Sequence, residues 1–465
     1  MNEYPFTPSR RTFVRQACCA AVGSTGIVSA LAQLRVIGAL AATGSTLRAA
    51  AGDAADYKAL VCLFLNGGND GNNLIVPFDQ TSYNTYASAR GNVAVAQTAL
   101  LPITPKLYRD GRSYALHPAV PGLQSLFTQG KVAVLANVGT LLRPTTLAQY
   151  RAGTSLPPQL YSHSDQITQW QSSLADRQFE TGWGGRLADM MDAMNSNNRI
   201  SMAISSNGSN KFQLGNKVIP LSVDRAVPLL TYSTSIGGNN KANYTGLRKL
   251  MDSTPANLLE AAFGQTSKTS FDDSVLLSGV LSSAPTLKTV FPDTVLAQRL
   301  KMFARLISVA PTLGLKRQIF FCNVGGFDVH TAQNAAHTSL LADVNGALAS
   351  FYNATVELGL ANQVTTFTAS DFARTYVPNA DGTDHAWGNH QIIMGGAVKG
   401  GDFYGTMPSL ALGGPDDVGR GVWIPTTSVD EYSATLATWF GVSASNLSTV
   451  LPNIGRFAKP NLGFL

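Results

Sequence analysis

Three unbroken apolar runs frame this chain, Ala59–Leu65, Lys131–Asn137 and Gln318–Val324, and a fourth, Val364–Thr368, and a shorter one, Gln391–Met394, follow them. Runs without polar alternation mark strands covered on both faces. Between the third and fourth, Leu341, Val344, Leu348, Phe351, Tyr352 and Val356 recur at three- and four-residue spacing, which predicts an amphipathic helix. Strand, helix, strand is a crossover unit, and crossovers join parallel strands. Near the end, Ser428 and Glu431 form a capping-box pattern ahead of Tyr432, Leu436 and Trp439. Residues 81–116 read as irregular and residues 199–235 as short strands. Residues 236–316 read as a helical insertion or cap over the sheet edge, with Val295, Leu296, Leu300, Phe303, Leu306 and Ile307 in helical register. The expected fold is α/β, a largely parallel sheet sandwiched between helices, in a single domain over residues 57–465.

Composition supports a large buried core: 465 residues, 45% hydrophobic and 13% charged. The net charge of +6 comes mostly from the first 51 residues. There Ser9–Val14 contains the pair Arg10 and Arg11, and an uncharged stretch from Ala17 to Leu34 follows. That order predicts a twin-arginine export signal, ending near Ala49–Ala51, with the Tat translocase as partner and a periplasmic or secreted destination. Without it, 29 basic residues face 27 acidic ones, which removes the charge argument for a nucleic-acid partner. No later stretch is long and apolar enough to span a membrane. Cys18 and Cys19 leave with the signal. Cys62 and Cys322 lie inside predicted strands, where a thiol acts as a small apolar side chain, and no disulfide framework is expected.

The chemistry gathers where the apolar runs end. The first run stops in Asn66–Asn73, whose glycines let backbone approach an ion and whose Asp70 offers a carboxylate. The third stops ahead of Asp328 and His330, the fourth ahead of Asp371, and Asp384, His385 and His390 follow. In a parallel sheet these ends open onto one crevice, so residues dozens apart in sequence should face one another. Imidazole and carboxylate are the usual ligands of zinc, manganese and iron. His337 begins the long helix and reads as solvated. At Tyr161–Gln166, Ser162 reads as an N-cap paired with Asp165. Ser164, beside His163 at the positive end of a helix, reads as a nucleophile. Arg186, in a glycine-rich loop, reads first as a surface arginine and second as a contact for an anionic group.

Taken together, FLNGGNDGNN, YSHSDQ, GGFDVH, SDFAR, TDHAWGNH with GGAVKGGDFYG, and TSVDEYSATLATWFGV resemble the DUF1501 family, from the signal to nearly the last residue. The family looks like a branch of the alkaline phosphatase and sulfatase superfamily. The resemblance implies an alkaline-phosphatase-like fold with a metal site at the strand ends. Asp70, Asp328, His330, Asp371, His385 and His390 would bind one or two divalent ions, zinc or manganese, and Ser164 with His163 would be catalytic. This sequence departs from the superfamily pattern in two places that bear on a second ion. One residue separates Asp328 from His330 where three are common, and Phe372 stands where a histidine often follows the aspartate. No Cys or Ser followed by the Pro and Arg pattern for formylglycine is present, which argues against an ordinary sulfatase. The expected function is an exported metal-dependent hydrolase of phosphate or related esters, small or polymeric. The alternative is a non-catalytic exported binding or assembly protein on a degenerate hydrolase scaffold. An α/β serine hydrolase is a weaker third option, because no G-x-S-x-G elbow is present.

Overall fold

A computed structural model describes residues 56–177, 180–196, 199–226, 239–253 and 257–465. The twin-arginine segment and its cysteines lie outside them. The strands are β1 (Lys58–Leu65), β2 (Ile75–Pro77), β3 (Leu101–Ile103), β4 (Tyr114–Leu116), β5 (Val132–Gly139), β6 (Ala203–Ser205), β7 (Leu221–Ser222), β8 (Arg317–Val324), β9 (Val364–Ser370), β10 (Asn389–Gly395), β11 (Phe403–Gly405) and β12 (Thr427–Ser428). Around them run helices α1 (Gly71–Leu74), α2 (Gln80–Arg90), α3 (Pro121–Thr128), α4 (His163–Ser172), α5 (Trp183–Met191), α6 (Asn239–Met251), α7 (Leu258–Ser282), α8 (Val295–Ser308), α9 (Gln333–Glu357) and α10 (Val429–Phe440).

The main sheet has the order β11-β5-β10-β9-β1-β8-β6-β7, with β12 also on β5. Every pairing is parallel except those of β10, which runs against both β5 and β9. Alternation along the strands feeds two cores. Ala59, Val61, Leu63 and Leu65 of β1 point to the face covered by α3, α8 and α9. Leu60, Cys62 and Phe64 point to the face covered by α4, α5 and α10. Both faces are therefore dry, and the continuous apolar runs follow from that. The same alternation places Cys62 and Cys322 in opposite cores, and both are free. The Ser428–Glu431 capping box forms as expected at the start of α10.

Two regions differ from expectation. Residues 81–116 are not irregular: they hold most of α2 and the strands β3 and β4, which pair with β2 in a small antiparallel sheet. α2 buries only Tyr86 and Arg90, so it shows no apolar stripe to read. Within residues 236–316, α8 packs on β8 and α9 as part of the main core. β1, β8 and β9 all end at one edge of the sheet. The chain leaves β9 there, loops over that edge through residues 371–388, and enters β10 from the same side without a crossover helix. β10 is reversed for that reason, and its first residues join the edge that carries the site.

Candidate metal centre

Asn69 N donates to Ser370 Oγ at 2.8 Å, and Ser370 Oγ donates to Leu65 O at 2.7 Å, so the loop after β1 is tied to the end of β9. Gly67 has φ +113° and no room for a side chain, since a Cβ would meet Asp328 N at 2.5 Å. Its N–H donates to Asp371 Oδ1 at 3.1 Å. Asp371 is fully buried, and its other oxygen accepts from His163 Nδ1 at 2.7 Å.

Three imidazoles converge on Asp328. His330 Nε2 lies 2.9 Å and His385 Nε2 3.2 Å from Asp328 Oδ1, and His163 Nε2 lies 3.4 Å from Oδ2. Their far nitrogens face acceptors: Asp371 for His163, the Tyr161 carbonyl at 2.8 Å for His385, and Asp384 at 3.4 Å for His330. A carbonyl or carboxylate oxygen can only accept, and the shorter contact is at Nδ1 for His163 and His385, where a neutral ring would place its single proton, but at Nε2 for His330. Such outer partners are the ordinary companions of metal-binding histidines. Arg374, buried beneath, donates to Asp328 Oδ1 at 2.8 Å. Burial pushes the Asp328 carboxyl up, but hydrogen bonding and charge from Arg374 outweigh it and hold the group at about 2. The Asp371 hydrogen bond raises His163, while burial lowers His385.

One ligand atom each from His163, Asp328 and His385 lies within 4.8 Å of the others, near the span taken by ligands about 2 Å from one ion. Among the described residues, buried His163 Nε2 has no hydrogen-bond partner, and Asp328 Oδ2 lies 3.4 Å from it. An imidazole nitrogen left unbonded beside a carboxylate and a second Nε2 fits a divalent cation in donor type and in number. Residues 57–418 match the family described as "Protein of unknown function (DUF1501)". The chain belongs to the DUF1501 family. No curated protein matches it in sequence. Among solved structures it is similar to PsFucS1 sulfatase from Pseudoalteromonas sp., at 10% identity and a TM-score of 0.33 over 90% of this chain and 72% of that one. It is also similar to a mutant of alkaline phosphatase PafA, at 12% identity and a TM-score of 0.23 over 71% and 64% of the chains. A third is the phosphonate monoester hydrolase of Agrobacterium radiobacter, at 11% identity and a TM-score of 0.29 over 82% and 74%. At these scores the likeness says nothing of substrate or mechanism.

Asp371 lies behind His163 as its hydrogen-bond acceptor. Asp70 is buried away from the cluster with both oxygens engaged: Oδ1 accepts from Asn72 N and Asn73 N, and Oδ2 from Arg90 and Gln333. His390 is buried, and its Nδ1 accepts from Asn137 N at 3.1 Å. His337 is not solvated: it is buried, with Nε2 3.0 Å from Asn69 Oδ1. Ser162 is the N-cap residue of α4 but makes no side-chain cap. Its hydroxyl donates instead to Asp165 at 2.6 Å. Ser164 is exposed, and its hydroxyl meets Ser162 Oγ and Asp165 Oδ2, each at 3.2 Å. Arg186 is largely buried and bonded to backbone. It donates to the carbonyls of Thr181, Ser172 and Val450. Sequence reasoning gave no role to Arg374, Asp384 or the Tyr161 carbonyl. Arg374 did carry a signal, as a positive charge that with Asp371 brackets the apolar pair Phe372 and Ala373 at the end of a buried strand.

Two predictions follow from these buried groups. Asp70→Ala strands the fully buried Arg90 guanidinium, and urea denaturation should show a loss of about 3–5 kcal/mol. Burial holds His117, His337 and His390 at about 4, against 6.5 for the unfolded chain. The unfolded state therefore binds more protons between those values, and stability falls as pH drops through that window. Asp430, raised by burial to about 7, and Asp273, raised by burial to about 6, pull the other way, as do Asp192 and His163, but the downward shifts of the three histidines together exceed the upward shifts of Asp430 and Asp273 together. The thermal midpoint should be lower at pH 5 than at pH 7.5, by on the order of 5 °C, and His337→Gln should shrink the difference. An unchanged midpoint would contradict the linkage.

Proposed function

We propose that this chain is an exported, metal-dependent hydrolase of phosphate or related esters, working in the periplasm after passage through the Tat translocase, with a single zinc or manganese ion. One observation carries the metal reading: the shorter contacts of His163 and His385 run from Nδ1 to Asp371 and to the Tyr161 carbonyl, and both Nε2 atoms face Asp328, at 3.4 and 3.2 Å. The ester substrate and the export route rest on the motif resemblance and the twin-arginine segment.

His163, His385 and Asp328 would hold the ion. When bound, it would supply Lewis-acid activation of water and neutralise charge on a phosphoryl oxygen. Asp371 keeps His163 in the tautomer that binds. Arg374 keeps Asp328 ionised. His330, half exposed beside Asp328 and backed by Asp384, is placed to pass a proton to a leaving oxygen. Ser164 stands at the start of α4 one residue beyond His163, yet its hydroxyl turns to Ser162 and Asp165, so water is the favoured attacking group. A second reading, a non-catalytic binding or assembly protein, draws on the Arg374–Asp328 pair, which satisfies the carboxylate with no ion.

Elemental analysis of protein purified without chelator should give one equivalent of zinc or manganese. That metal should be lost in the His163→Ala, His385→Ala double variant while its circular dichroism stays native. Ser164→Ala should keep the metal and turn over aryl phosphates within about 3-fold of wild type, whereas a loss beyond 100-fold would make Ser164 the nucleophile. Metal without hydrolysis across a broad ester panel would favour the second reading.

A further inference from the structure

We propose that Phe372 is a positioning residue that clamps the two imidazoles of the metal centre, an inference that rests on the metal reading above. Three rings pack in a nearly equilateral triangle at the end of β9. The Phe372 ring centroid is 4.7 Å from that of His163 and 4.5 Å from that of His385, and the two imidazoles are 4.4 Å apart. Phe372 is the member with no nitrogen to offer. It is 1% exposed, at the bottom of a site in which His163, Asp328 and His330 are open to solvent.

The geometry of the hydrogen bonds explains why the rings need this wall. Each imidazole has one short contact, at Nδ1, and only a longer one of 3.2 to 3.4 Å from Nε2 to the half-exposed Asp328, so hydrogen bonding alone fixes the ring planes weakly. Phe372 meets the His385 face at an interplanar angle of 30° and the His163 face at 42°. Its flat surface stops both from tilting into the core, and each Nε2 stays on the Asp328 side. The ring is itself seated by Gly68, at φ +85°, where a Cβ would lie 2.7 Å from two carbons of the Phe372 ring. The glycine pair after β1 therefore serves the site twice, Gly67 by bonding Asp371 and Gly68 by making room for Phe372. A leucine at 372 fills similar volume but presents no flat face, so the imidazoles gain freedom that metal binding must then remove.

The test compares Phe372→Leu with Phe367→Leu in the full chain. Phe367 lies within β9, just before the segment that carries Phe372, in the core beneath α5 and α10. Zinc affinity is measured by competition with a chromophoric chelator, and thermal unfolding of the metal-free proteins is measured in parallel. Phe367→Leu should lower the midpoint and leave zinc affinity unchanged. Phe372→Leu should bind zinc about 10- to 100-fold more weakly with no larger fall in midpoint. Equal zinc affinity in the two variants would overturn the proposal.

Failure of the metal reading looks different, because wild type itself would then take up no zinc. In that case imidazole nitrogen NMR of the metal-free protein, at a pH where both rings are neutral, decides the clamp. A single Nδ1–H tautomer for His163 and His385 in wild type, and mixed tautomers in Phe372→Leu, upholds it. Identical spectra overturn it.

Discussion

The buried carboxylate of Asp371 is the contact on which the site depends. It sits one residue past β9, takes the Gly67 amide on one oxygen and His163 Nδ1 on the other, and so joins the first-strand loop, the end of β9 and the start of α4. A fully buried charge costs several kcal/mol unless its oxygens are bonded, and here both are. That requirement aligns an imidazole from an element far away in sequence with the strand ends. Without Asp371, His163 would have no reason to present Nε2 toward Asp328.

The sheet makes such a meeting possible. Parallel β1, β8 and β9 bring their carboxyl ends to one edge, and reversed β10 begins at that edge because the loop before it has already crossed over the site. The loop supplies Arg374 and His385, and β10 supplies Asn389, whose amide donates to the carbonyls of Asn69 and Phe372 at 2.9 Å. The hydrogen-bonded strands fix the loops' ends, and side-chain bonds to backbone fix their middles. The exposed groups, Asp328 and His330, sit over this buried layer rather than on mobile tips.

Much of the frame was legible in the sequence for a physical reason. Strands buried on both faces cannot alternate with polar residues, so β1, β5, β8 and β9 stood out, and the histidines and aspartates behind three of them pointed to one edge. What the pattern cannot carry is direction after a strand ends. Asp70 and Asp328 both follow apolar runs by a few residues, yet Asp70 turns inward to Arg90 and Asp328 outward to the histidines. Arg90 was invisible as its partner because α2 buries two residues and shows no stripe. His390 enters a bulged strand, where the irregular register puts its Nδ1 on the Asn137 amide. Phe372 read only as a missing histidine, since the sequence does not show two imidazoles stacked on its ring.

The central claim is that His163, His385 and Asp328 together hold one divalent cation. Anomalous diffraction from a zinc-soaked crystal, recorded on both sides of the zinc edge, tests it most directly. The account predicts one strong peak within bonding distance of His163 Nε2, His385 Nε2 and an Asp328 oxygen, with Asp371 and Tyr161 still bonded to the far nitrogens. A peak liganded by Asp70 or His390 instead, or no peak with these side chains ordered, would contradict it.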